Sequence, residues 1–82
     1  MATKTIYSAE YRSVVDELRR VREASGQNQA QLARRMGWSQ QRLSAVETGA
    51  RRLDVMEFFH LADVLGLSPE HALRIILQAR RR

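Results

Sequence analysis

Apolar residues recur along most of this chain at spacings of three and four, the period of a helix with one buried face. The first stripe runs through Tyr11, Val14, Val15, Leu18 and Val21. Ser8 is placed to cap that helix, Glu10 complements its positive end, and Gly26 stops it. A second, short helix begins at Asn28, where Gln31 can reach back as a capping partner, and Leu32, Ala33 and Met36 form its inner face. Gly37 lets it end abruptly, and Ser39 is a good N-cap for a third helix with Leu43 and Val46 inside. Trp38, just before that cap, can pack on Leu43 and fix the entry angle.

After Gly49 comes a basic loop, Ala50-Arg51-Arg52-Leu53, and then a second capping pair, Asp54 with Glu57, stapled by Leu53 and Phe58. The fourth helix is expected to turn Val55, Phe58, Phe59, Ala62 and Leu65 inward until Gly66 ends it. Ser68-Pro69 supplies a cap and a first-turn proline for a fifth helix over 69–80. No segment alternates with the period of two that a half-buried strand shows, so the fold class is all-α with five helices. The 82 residues make one domain, with an N-terminal arm at 1–7 and the helical unit at 8–82.

The second and third helices are joined so tightly that they must cross, with Ala33 placed where the backbones approach; this is the plan of a helix-turn-helix. On the third helix Gln40, Gln41, Ser44, Ala45 and Thr48 share one arc, opposite Leu43 and Val46. Glutamine can offer adenine a paired donor and acceptor, hydroxyls can bond either base of a pair, and the methyls of Ala45 and Thr48 can touch thymine. An uncharged polar arc suits base edges better than phosphates.

Charge adds a partner to this picture. The formal net charge is +5, and Lys4 is the only lysine among the cations. A polyanion is the expected ligand, and arginine suits bidentate contact with phosphate or guanine. Gln29, in the first turn of the second helix, and Arg51 and Arg52, after the third, are expected to contact the DNA backbone, while Arg42 can serve phosphate or base. Arg34, Arg35 and Arg80-Arg81-Arg82 near helix ends are read as solvated cations that complement the dipole.

Other chemistry is not indicated. There is no cysteine, so disulfides and zinc fingers are excluded. His60 and Asp63 are spaced for a surface ion pair, and neither they nor His71 are joined by neighbouring ligands that would make a metal site. No serine lies in a nucleophile elbow, and the single glycines make no phosphate-cradling loop, so neither enzymatic activity nor a cofactor is expected. The chain carries no apolar run of membrane-spanning length and no signal-peptide segment at its start, which makes a cytoplasmic location the default expectation.

The run Asn28-Gln29-Ala30-Gln31-Leu32-Ala33, with Gly37, Ser39-Gln40-Gln41, Ser44, Glu47, Gly49 and Ala62 with Leu65-Gly66-Leu67, resembles the lambdoid phage repressor and Cro family, also called the XRE family. Leu18, Arg22 and Gly26 extend the likeness toward the N-terminus. The resemblance implies a five-helix lambda-repressor-like domain that binds DNA through the third helix. It also implies backbone contacts from Asn28, Gln29 and Ser39, and a buried ion pair between Arg22 and Glu47 that locks the third helix to the scaffold. Arg42 and Ala45 depart from the family pattern, in which the first is usually smaller or apolar and the second long and polar.

The expected function is a sequence-specific transcriptional regulator, a repressor on a palindromic operator, whose partners are double-stranded DNA, a second copy of itself and RNA polymerase. A restriction-modification controller and an antitoxin that binds a toxin protein are the alternatives. The fifth helix carries Ala72, Leu73, Ile75, Ile76 and Leu77 within two turns. Leu73, Ile76 and Leu77 are expected to face the core or a partner and Ile75 to widen the stripe to a second side, which makes these four the expected dimer interface.

Overall fold

The computed structural model describes residues 9–80. Five helices follow one another as α1 (Ala9–Ala24), α2 (Gln29–Met36), α3 (Gln40–Thr48), α4 (Val55–Val64) and α5 (Pro69–Arg80). No strand occurs among the described residues. The expected arm at 1–7, the Ser8 cap and the terminal Arg81-Arg82 lie outside them.

Local chemistry sets the helix ends. Asn28 accepts from the backbone N–H of Gln31 at 2.8 Å while the Gln31 side chain accepts from that of Asn28, also at 2.8 Å. Asp54 and Glu57 form the same reciprocal cap on α4 at 2.7 and 3.0 Å. Ser39 caps α3 by accepting from Arg42 N–H, and Ser68 caps α5 by accepting from His71 N–H. Each such cap is worth about 1 kcal/mol because it satisfies an N–H that the helix leaves unpaired. Gly37 closes α2 at φ 77°, and the next N–H, of Trp38, bonds back to the Ala33 carbonyl at 2.9 Å. Only glycine adopts that left-handed conformation without strain, so three residues after Gly37 the chain can begin α3.

α2 packs against both α3 and α4, α1 against α3 and α5, and α4 against α5. Leu18, Leu32, Ala33, Leu43, Phe58, Leu61, Ala62, Ala72 and Ile75 meet in one continuous core. Trp38 and Leu53 lie half-buried against it. Ala33 is 1% exposed where α2 meets its neighbours, a position at which a larger side chain would force the helices apart.

Two expected helix faces are corrected. On α4 the buried stripe is Phe58, Leu61 and Ala62, with Leu65 half-buried, whereas Val55 is 68% exposed. Val55 is the first residue of its helix and borders an open groove with Tyr11 and Ile76 instead of lying beneath another element. On α5 the buried residues are Ala72, Ile75 and Ala79, with Ile76 half-buried; Leu73 and Leu77 are 50% and 48% exposed. Positions 72, 75, 76 and 79 follow the helical period, and the two alanines let α5 approach α1 closely. Ile75 is therefore a core residue and not an interface residue.

Candidate nucleic-acid interface

The third helix is anchored from beneath and open on its outer side. Leu43 and Val46 are essentially inaccessible, while Gln40, Gln41 and Thr48 are exposed and Ser44 and Ala45 half-exposed. Thr48 donates its hydroxyl to the Ala45 carbonyl at 3.3 Å, which leaves its oxygen free to accept. The arc inferred from the sequence is thus a real surface strip carried on a rigid element.

Its rigidity comes from a buried charge network. Arg22 of α1 grips Glu47 of α3 in a two-pronged contact, Nε to Oε2 at 2.7 Å and Nη2 to Oε1 at 3.0 Å. Nη1 of the same guanidinium donates to the Gln27 carbonyl at 2.9 Å. The bond to Glu47 holds the Arg22 guanidinium above its ordinary pKa, against the opposing effect of burial. Gln29 completes the cluster by donating its side-chain amide to Glu47 Oε1 at 2.8 Å. Both charges are more than nine-tenths buried, so each depends on the other and on these hydrogen bonds for compensation.

Several residues expected to contact the DNA backbone already have structural duties. The side-chain oxygens of Asn28 and Ser39 are engaged in caps, and Gln29 is tied to Glu47, so the first turn of α2 is joined to the middle of the network. Arg42 lies with its guanidinium carbon 4.1 Å from the centre of the Trp38 ring and donates to Glu57 at 2.6 Å. Arg51 reaches the same Glu57 oxygen at 3.3 Å. Arg52 instead lies 5.6 Å over the Tyr11 ring. The Glu57 carboxyl is held below its ordinary pKa, first by the Asp54 backbone N–H it accepts from and then by the two arginines, burial acting the other way.

Three residues order this surface in ways that sequence reasoning did not assign to them. Tyr11 accepts through its hydroxyl from the Leu53 backbone N–H at 2.9 Å, which ties the basic loop to α1. Arg12 reaches the Glu47 carbonyl at 3.4 Å, near the C-terminal end of α3 where a cation is favoured, and lies against Gly49, whose φ is +91°. Glu57 was visible as a cap but not as the meeting point of two arginines from different elements. The contacts of Tyr11 and Arg42 span 42 and 15 residues of sequence, and no local pattern encodes them. His60 stands 3.5 Å from the Met36 carbonyl, and its expected partner Asp63 takes part in no ion pair among the described residues.

A helix-turn-helix domain family matches residues 14–74, which include all of α2, α3 and α4. A solved structure described as an XRE-family like protein from Pseudomonas syringae pv. tomato str. DC3000 is similar over 94% of both chains, with a TM-score of 0.82 and 39% identity. No curated protein matches the chain. The chain belongs to the XRE-type family of helix-turn-helix DNA-binding proteins, and its fold is that of the family. No helix among the described residues is long and apolar enough to cross a membrane.

Proposed function

We propose that this protein is a sequence-specific transcriptional repressor that occupies a two-fold operator as a homodimer. The observation that carries this reading is the uncharged strip of α3, exposed at Gln40, Gln41 and Thr48 and held rigid by the Arg22–Glu47 pair. Gln40 and Gln41 lie in the first turn, the part of a recognition helix that enters the major groove deepest, and read adenine edges; Ser44, Ala45 and Thr48 extend the contact along the groove. The first turn of α2, with Asn28 and Gln29, the Ser39 turn and Arg52 set the register on phosphates.

The dimer is assigned to the outer face of α5. Leu73 and Leu77 are four residues apart, hence on one side of the helix, and both are half-exposed with Ile76 at their margin. A symmetric contact along that stripe removes two large apolar side chains per copy from water and presents two recognition helices at once. Repression then follows from occupancy of DNA that polymerase needs. Selection of bound duplexes from a random pool tests the reading: a palindromic consensus with half-sites about one helical turn apart is expected. Enrichment of no sequence would overturn it.

A further inference from the structure

Two arginines on the flank of α3 converge on one carboxylate. Arg42 projects from the first turn of α3 and Arg51 from the loop after it, yet both donate to Oε2 of Glu57, at 2.6 and 3.3 Å. Glu57 sits in the first turn of α4 with its side chain 18% exposed, and its other oxygen accepts from the Asp54 N–H at 3.0 Å. Arg42 is further confined by the Trp38 ring on its face, and its Nε is buried without a hydrogen-bond partner. The neighbouring Arg52 has no carboxylate within ion-pair distance among the described residues. Adjacent cations of one loop are therefore in different states: Arg51 is paired with a carboxylate, while Arg52, exposed and resting over the Tyr11 ring, is not.

We propose that Glu57 is a specificity-determining residue, an internal competitor for DNA phosphate that withholds Arg42 and Arg51 from sequence-independent binding. A carboxylate and a phosphate present similar oxygen pairs to a guanidinium, so each arginine can satisfy one or the other. Side-chain exposures of 36% for Arg42 and 41% for Arg51 show that both would reach solvent phosphates if released. Binding to random sequence comes from phosphate contacts, and each added contact strengthens it at low salt. In such a complex the protein can shift along the duplex until freed cations meet phosphates; base contacts by Gln40 and Gln41 forbid that shift on an operator. Glu57 thus suppresses random binding more than operator binding.

The inference rests on the DNA-binding reading but not on the operator or the dimer. Its test uses the full chain, a fixed random-sequence duplex and a salt titration. Glu57→Gln keeps the side-chain oxygen that caps α4 and removes the charge. The log–log salt slope should steepen by about 0.9 for one freed arginine or about 1.8 for two, so that the affinity lost between 50 and 200 mM salt grows roughly 3- to 12-fold. Adding Arg51→Gln to that variant should return about 0.9 of the slope. Once an operator has been selected, Glu57→Gln should also lower the ratio of operator to random affinity. An unchanged or shallower slope in a variant that melts like wild type overturns the proposal, as does failure of both proteins to bind the duplex. A second pair of variants reads the same state with Glu57 intact. Arg52→Gln should flatten the slope by about 0.9 and Arg51→Gln should leave it nearly unchanged; equal flattening by both overturns the proposal.

Discussion

Gln40 and Gln41 are exposed on the first turn of α3, where neither contributes to the core. Replacing either by alanine should leave the melting temperature unchanged and cost about 1–3 kcal/mol on the operator, with relaxed base preference at one position. Equal losses on operator and random duplexes, measured by titration at one salt concentration, would show that these side chains do not read bases. Glu47 is a residue of the opposite kind, on the inner side of α3 and 5% exposed. Glu47→Ala strands the Arg22 guanidinium in the core and removes the acceptor of Gln29, so a loss of about 3–5 kcal/mol is expected. A chemical unfolding curve checks this, and a loss under 1 kcal/mol would mean that the pair is solvated in solution.

At the scale of elements, α3 is held at both ends by its neighbours. Tyr11 and Arg12 of α1 fasten the loop and the C-terminal end, while Glu57 of α4 holds Arg42 near the N-terminal end. The Glu57 contact carries a pH signature. Its carboxyl pKa is lowered in the folded state from the ordinary 4.5, so the ionised group binds fewer protons folded than unfolded at acidic pH. The stability it contributes is fully present above 4.5 and is lost as pH falls through the depressed folded value. As pH falls from 4.5 through the depressed folded value, unfolding free energy should therefore fall less steeply for Glu57→Gln than for wild type. Parallel curves would remove the charge of Glu57 from the acid sensitivity of the domain.

For the whole molecule, the deciding surface is the outside of α5. Glutamate at Leu73 and Leu77 together should leave helicity intact and abolish the proposed dimer, since both side chains are half in water in the single chain. Ile75→Glu should instead unfold the domain, because that side chain is 4% exposed and a buried unpaired charge costs several kcal/mol. Sedimentation with circular dichroism separates the outcomes: a monomeric wild type, or a Leu73/Leu77 variant that still dimerises, would move the interface elsewhere. Dimer loss should also reduce operator affinity far more than the affinity of a single half-site, since the second docking event then ceases to be intramolecular.

The five helices and their boundaries were legible because caps, terminating glycines and the helical period act within a few residues, as at Asn28 with Gln31, Asp54 with Glu57, and Gly37. The outward arc of α3 was legible for the same reason, Leu43 and Val46 fixing the phase of a short helix. The face of α5 was not. Its interior is marked by Ala72 and Ala79, which carry little hydrophobic signal, and only close approach to α1 makes small residues the right ones there and leaves Leu73 and Leu77 outside. The state of each arginine was likewise undetermined by sequence, since Arg42, Arg51 and Arg52 are alike in charge and the last two are neighbours in one loop. Local hydrogen bonding set the elements, while the juxtaposition of α1, α3 and α4 decided which cation meets a carboxylate and which meets a ring, and the packing of α5 on α1 decided which apolar stripe remains in water.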